Sequence, residues 1–378
     1  MKNVLIVETF IPEYRVPFFE RLYEALRQDE VALRVAYGQQ SKIEGQGCRS
    51  VPHELAFGTR TRNYWLFNAR VLLQPVLGEI VRADLVIVEQ ANKHLVNYLL
   101  LVLSCLGIKK VAFWGHGWNR QRRTANSLSE RIKARLVRYP DWWFAYTDST
   151  ARYLKSKGVP AEVITVVQNS LDVKRFQNQL AEISDRDLER ARSELGMPPE
   201  CQVGLFCGRL YRDKHLRFLM GASRRIRARI PHFHLIIVGD GPEKRVVETF
   251  VEGEGWVHHV GARLGREKAL YFRLAQVVLN PGVMGLGILD AFACGLPVIT
   301  TDIPGHGPEI DYFENGRNGL MCRPVLADYV DTVVGVLSDR SLYRRLSAGA
   351  LASAGRYSLE AMVENFKNGI LQCLRPGT

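Results

Sequence analysis

Residues 280–302 read NPGVMGLGILDAFACGLPVITTD. A glycine-bearing turn leads into a helix-length stretch over 286–294, and PVITT (297–301) follows as an apolar, β-branched run. Turn, helix and buried strand in that order make one unit of a parallel α/β sheet. Gly285 and Gly287 let the backbone come close to a ligand where the helix starts, and the free N–H groups there suit an anion. The stretch has two acids, Asp290 in the helix and Asp302 after the strand, and a glycine, Gly282, at the turn. In the first turns of a helix, the Asp290 carboxylate can accept hydrogen bonds from two vicinal hydroxyls, such as those of a ribose; the alternative is that it tunes the helix dipole.

Outward from this stretch the same alternation recurs. QVGLFCG (202–208), HLIIVGD (234–240), WVHHVG (256–261) and VVLN (277–280) precede it as candidate buried strands. An earlier set consists of KNVLIVE (2–8), VALRVAY (31–37), DLVIVE (84–89), KKVAFW (109–114), WWFAYT (142–147) and EVITVV (162–167). Helical patterns lie between most of them, which predicts two doubly wound α/β domains. The length of 378 residues agrees, since one hydrophobic core rarely serves more than about 250–300 residues. The boundaries read as 1–170 for the first domain, 171–200 for a linker and first helix, and 201–355 for the second domain. A last helix in 356–378 follows the completed second set and can cross back to the first domain.

Composition narrows the class. A chain that is 47% hydrophobic and 24% charged is a soluble globular protein. The longest apolar stretch, LVNYLLLVLSCLGI (95–108), is too short to span a bilayer and reads as a buried helix. MKNVLIVETFIP is a poor signal peptide, because its short apolar run contains Glu8. Cys48, Cys105, Cys201, Cys207, Cys294, Cys322 and Cys373 are far apart and lack C-x-x-C spacing, which argues for reduced, buried thiols in a cytoplasmic protein. No metal-ligand spacing is present, so a metal-independent site is expected.

The net charge of +12 is uneven: residues 1–170 carry 24 Lys+Arg against 15 Asp+Glu, and the remainder 27 against 24. The strongest basic cluster runs from RQRRTANS (120–127) into LSERIKARLVRYPDWWF (128–144), where Leu128, Ile132 and Leu136 form one apolar stripe. A basic, amphipathic segment followed by Trp142 and Trp143 suits an anionic membrane surface through residues 120–143; the alternative is a packing helix with a solvated face, the tryptophans belonging to a strand. Nucleic-acid binding is not supported, since the basic charge lacks aromatic interleaving or a recognition motif.

Two further motifs end strands of the second domain. In FCGRLYRDKHLRFL (206–219) Gly208 ends the strand, Arg209 follows, and Lys214 stands where a helix begins. Backbone N–H groups and two long cations there make a diphosphate clamp, the alternative being ordinary solvated cations. IIVGDGPEKRVVE (236–248) is a strand, a glycine-rich turn and a helix, explained first by tight connection chemistry. Neither a dinucleotide fingerprint nor a P-loop occurs.

Together G-R-L-x-x-x-K, V-G-D-G-P and G-L-x-x-x-[DE]-A-x-A-x-G-x-P-V-I resemble the retaining nucleotide-sugar glycosyltransferases of family GT4, along with ENGRNGLMC (314–322). The first domain matches more loosely, through WGHGWN (114–119) and QNSLDVKRF (168–176). The resemblance implies the GT-B fold, two Rossmann-like doubly wound domains facing a cleft, with a nucleotide-diphosphate sugar as donor substrate and no cofactor. In the family's E-x7-E signature the second acid binds the nucleotide ribose and falls on Asp290; the first contacts the donor sugar and falls on Gly282. Donor contacts are then expected from Gly208, Arg209, Lys214, Gly261, Arg263, Gly285, Leu286, Gly287, Ile288 and Asp290, with base contacts around His259 to Arg263. His116 matches a histidine that faces the donor sugar, and Tyr14, Arg15 and His116 are the acceptor-side candidates. His306 is discounted.

These readings imply a retaining hexosyltransferase-like enzyme of bacterial polysaccharide biosynthesis, acting on a glycan or lipid-linked saccharide and peripheral on the inner face of the cytoplasmic membrane. A non-catalytic glycan- or membrane-binding protein on the same fold is the alternative of another class, kept open by Gly282. A nucleotide-sugar epimerase would need acid–base carboxylates, and no convincing pair stands out in the sequence.

Overall fold

The structure is a computed structural model and describes residues 1–40, 55–117 and 135–375. The chain divides into two compact units, one of Met1–Leu171 with the C-terminal stretch from Leu359, the other of Asp172–Ser358.

The first unit holds β1 (Lys2–Glu8), β2 (Val31–Tyr37), β3 (Gly58–Arg60), the antiparallel hairpin β4 (Tyr64–Leu66) and β5 (Val71–Leu73), then β6 (Leu85–Glu89), β7 (Lys110–Gly115), β8 (Trp142–Ala145) and β9 (Ile164–Val166). Seven of these make a parallel sheet in the order β3-β2-β1-β6-β7-β8-β9. Its strands are apolar on both faces because helices cover both. Val4, Ile6, Leu85, Ile87, Trp114 and Phe144 join a core with the helices Val16–Gln28 and Leu359–Cys373. Leu5, Val7, Val86, Val88 and Phe113 face the other way, toward Leu95–Cys105 and Asp148–Ser156. The C-terminal helix is anchored by Phe366, which stacks on Phe144 at 4.2 Å and meets Trp114 at 5.0 Å and Phe18 at 5.2 Å.

The second unit has β10 (Gln202–Cys207), β11 (Phe233–Val238), β12 (Val257–Gly261), β13 (Val277–Leu279), β14 (Val298–Thr301) and β15 (Gly319–Cys322), all parallel in the order β12-β11-β10-β13-β14-β15. The stretch expected as a linker and first helix holds two helices, Val173–Ala181 and Asp185–Glu194, the latter opened by a capping box between Ser184 and Asp187, and both belong to this unit.

Several sequence expectations need correction. The 95–108 segment is not buried all round. Leu100 and Leu101 are buried, while Leu95, Leu99 and Val102 on the outer side of Leu95–Cys105 are exposed. An apolar run fixes the helix but does not say how many faces the fold covers. Cys105 is exposed for the same reason, whereas Cys201 and Cys373 are buried; all six described cysteines are free. The short strands β3, β4, β5 and β15 lack the long apolar runs that mark the others, and EVITVV contributes only Ile164–Val166 as strand after a 3-10 turn. Among the described residues, no helix is long and apolar enough to cross a membrane.

Candidate functional site

Both sheets reverse their winding once. In the second unit the switch lies between β10 and β13, since the chain builds outward from β10 through β11 and β12 on one side and through β13, β14 and β15 on the other. Open parallel sheets bind ligands in the crevice at the carboxyl ends of such a pair. Gly208-Arg209 leaves β10 there and Asn280-Pro281-Gly282 leaves β13.

The first wall is a set of interlocked turns. Leu210 N–H donates to the Asp240 carbonyl at 3.0 Å, Glu243 N–H to the Leu210 carbonyl at 2.8 Å, and Gly239 N–H to the Gly261 carbonyl at 2.9 Å. A Cβ at 241 would stand 2.7 Å from the Leu210 carbonyl oxygen, and one at 239 would overlap that of Gly208. The glycines of VGDGP are thus required by backbone-to-backbone contact, in line with the connection reading. Arg209 is half-buried, its guanidinium 4.6 Å from the centre of the Tyr211 ring. Arg263 instead donates to the Val260 carbonyl at 2.9 Å and pairs with Glu267 at 3.3 Å, while His259 bonds the Gly239 carbonyl at 2.9 Å.

The second wall answers why position 282 is glycine. A Cβ there would overlap the Asp213 carbonyl oxygen and the Lys214 backbone. Val283 N–H donates to the Asp213 carbonyl at 2.9 Å, and Lys214 Nζ donates to the Val283 carbonyl. From the other side, Met284 N–H donates to His306 Nδ1 at 3.0 Å, and His306 Nε2–H donates to the Thr301 carbonyl at 2.9 Å. Thr301 Oγ1 donates to the Pro281 carbonyl at 2.5 Å. The loop 280–285 is therefore clamped between the Asp213–Lys214 turn and the end of β14, too tightly for any side chain at 282. His306, discounted in the sequence, is a buried part of that clamp. Lys214 is held below the ordinary lysine pKa by burial, with Asp213 and the buried Glu309 acting against the shift.

Asp290 lies in the seven-residue helix Gly287–Ala293 and pairs with Lys268 at 2.9 Å, both side chains largely buried. Burial disfavours the Lys268 ammonium, but the Asp290 carboxylate outweighs it and raises its pKa. Lys268 Nζ donates to Oδ1 of Asp290 in that pair. Sequence reading missed Lys268, which lies on the helix Gly265–Leu274 and is brought in by packing. Burial pushes the nearby Cys207 thiol up to about 12, so it stays protonated. Of the expected backbone donors, Ile288 N–H is already taken by the Gly285 carbonyl at 3.1 Å, which removes it from the set. Among the described residues, no group of three or more His, Cys, Asp and Glu side chains is placed to hold a metal ion.

In the first unit the switch falls between β1 and β6. Val7 pairs with Val88, so the next residues in register are Glu8 and Glu89. Burial and the Glu89 charge push the Glu8 carboxyl up to about 8, with Arg15 acting in the opposite sense. Arg15 is buried. Its guanidinium donates to Asn169 Oδ1 and lies 5.3 Å from the Trp114 ring centre and 5.5 Å from that of Tyr14. His116 is exposed after β7, its ring edge-on to Tyr146 at 4.3 Å. Burial drives the Tyr146 hydroxyl pKa up. Most of the basic segment lies at 118–134, outside the described residues. Trp142 and Trp143 are in β8 and fully covered, so they offer nothing to a membrane.

Two family patterns match in succession: "Glycosyltransferase Family 4" over residues 18–175 and "Glycosyl transferases group 1" over residues 201–339. The chain belongs to the group 1, family 4 glycosyltransferases. Among curated relatives of this glycosyltransferase family member, it is 23% identical over 208 residues to the alpha-monoglucosyldiacylglycerol synthase of Acholeplasma laidlawii, covering 53% of this chain and 50% of that one. It is 30% identical over 217 residues to the D-inositol 3-phosphate glycosyltransferase of Corynebacterium jeikeium, with the same shares of 53% and 50%. The chain spans about half the length of these curated relatives it matches. Alr3699/HepE of Anabaena, solved in complex with UDP, shares 16% identity and a TM-score of 0.72 over 98% of this chain and 100% of that one. At that identity the likeness is one of fold, the GT-B fold with its two parallel sheets of seven and six strands.

Proposed function

We propose that this chain is a retaining glycosyltransferase that moves a sugar from a nucleoside-diphosphate donor to a hydroxyl of a lipid-linked glycan in bacterial cell-surface polysaccharide synthesis. The observation that carries the reading is Lys214, a largely desolvated cation bound to the loop 280–285 at the carboxyl-end switch point of the second unit. In this reading Lys214 and Arg209 hold the diphosphate and stabilise the charge that grows on it as the glycosidic bond breaks, an effect strongest in low dielectric. The helix Leu216–Arg229 directs its positive end toward the same turn. Gly208, Gly261 and Gly285 let the nucleotide approach the backbone, and N–H groups of Leu286 and Gly287 serve the phosphates or the donor sugar.

Asp290 accepts from the ribose hydroxyls while Lys268 holds its other oxygen. Arg263, tied to Glu267, borders the base from the turn after β12. Tyr14, Arg15 and His116 serve the acceptor side. The acceptor hydroxyl attacks from the face the diphosphate leaves, and a leaving phosphate oxygen takes its proton, so configuration is retained without a metal. Binding of UDP and of UDP-glucose by the Anabaena protein supports a sugar nucleotide as donor.

Thermal shift against UDP, GDP, dTDP and their sugars tests the reading. A nucleotide at a hundred times its Kd stabilises by roughly 2.7 kcal/mol. No shift with any of them would remove the donor assignment, while a shift without slow donor hydrolysis would leave a binding protein. Undiminished turnover in EDTA is the expected result for a metal-independent site.

A further inference from the structure

The carboxyl ends of β1 and β6 carry a cluster that the donor chemistry leaves unused. Glu8 and Glu89 end neighbouring parallel strands one step beyond the Val7–Val88 pair. Side chains alternate along a strand, so both glutamates point to the face of Ile6, Ile87 and Trp114, over which Arg15 lies. Glu89 is directly in register with Trp114 on β7, and Tyr146 continues the same face beyond Phe144 on β8. Glu8, Glu89 and Tyr146 are half-buried and His116 is exposed, so the row is open at its rim.

One deeper group on this face lacks a hydrogen-bond partner among the described residues. It is Trp114 Nε1, whose residue is only 3% exposed. Buried donors and acceptors in that condition are uncommon in folded proteins and call for a partner. The edge thus offers two carboxyl groups, an indole N–H and a phenol around a single guanidinium, at the position where doubly wound sheets take their ligands.

We propose that this crevice is the acceptor pocket, that Glu8 and Glu89 bind the hydroxyls of a neutral sugar, and that it discriminates against a phosphorylated one. The proposal rests on the glycosyltransferase reading and adds the acceptor's chemical class. A carboxylate is suited to vicinal hydroxyls, and a carboxyl that keeps its proton near neutral pH also donates. The Glu8 carboxyl, raised by burial and by Glu89, supplies both modes. Phosphate is disfavoured because the Glu89 charge faces the one arginine, which is already engaged with Asn169 and Trp114.

The test is saturation-transfer NMR on the full chain with methyl α-D-glucoside, mannoside and galactoside, and with glucose 6-phosphate and mannose 6-phosphate. UDP-glucose is run separately, and thermal melts confirm that Glu8→Gln and Glu89→Gln are folded. At least one neutral glycoside should bind the parent, and its affinity should fall about ten- to a hundredfold in Glu89→Gln, the loss expected for a hydrogen bond to a charged group, and less in Glu8→Gln, whose amide keeps a donor and an acceptor as the protonated carboxyl does. UDP-glucose binding should be unchanged. Binding of no neutral glycoside, preference for the phosphorylated sugars, or undiminished binding in both variants would overturn the proposal. Absence of UDP-glucose binding in the parent would count against the donor reading instead, so the two failures are separable.

Discussion

In the first unit, the strands at the switch point end in Glu8 and Glu89; in the second, they lead into Gly208-Arg209 and Asn280-Pro281-Gly282. Topology and strand direction are the same in both, yet one crevice gathers acids and the other lacks an acid where its relatives are expected to carry one. The loop after β13 is pressed onto the Asp213–Lys214 backbone, which leaves no volume for a side chain at 282. A shared sheet topology therefore fixes where a ligand can sit, and the loops fix which charge it meets.

The largest effect expected from breaking this contrast is on the basic side. Lys214→Ala should lower kcat by about 10²–10³, the usual cost of removing one preorganised donor from a developing charge. Arg209→Ala should act similarly, and rates near the parent's in both would refute the clamp. Gly282→Glu comes next. It places an acid where the sequence resemblance expects one, but overpacking should cost about 1–3 kcal/mol of stability, read as a lower denaturation midpoint, with no gain in transfer. A variant as stable as the parent and more active would show that the loop is free to move away.

On the acidic side the expected signal is a pH dependence. The Glu8 carboxyl has its ordinary value of 4.5 in the unfolded chain and is raised to about 8 in the fold. Between those values the native state holds a proton that the unfolded state has released, so stability falls as pH rises through this window. Glu8→Gln removes that dependence. Its melting temperature relative to the parent should climb from pH 5 to pH 8.5, and a constant difference would contradict a shared proton at this edge. A smaller effect is expected for Lys268→Met, which should raise the donor KM several-fold while kcat changes little, because Asp290 loses the partner that orients it. An unchanged KM would restrict that ion pair to a structural role.

The strand sets and their order were legible because strands buried on both faces must be apolar nearly throughout, and that pattern survives without knowledge of any partner. Both acids of the first crevice were visible in the same way, as the final residues of KNVLIVE and DLVIVE. What could not be seen was that these two strands are neighbours, with some 80 residues between them. Lys268 and His306 were hidden for the same reason, since neither stands in a motif and each acts on a residue from another element.

The sequence by itself determined two doubly wound parallel sheets, the glycine turns after β10, β11 and β13, and the presence of cations at the first of those turns. Tertiary structure alone decided that Gly282 leaves no volume for an acid, that Arg15 is interior, that Asp290 is already paired, and that Glu8 and Glu89 are adjacent. The physical reason is range. Hydrophobic periodicity and turn chemistry act between residues a few positions apart, whereas excluded volume, desolvation and charge coupling depend on which distant segments the folded chain brings into contact.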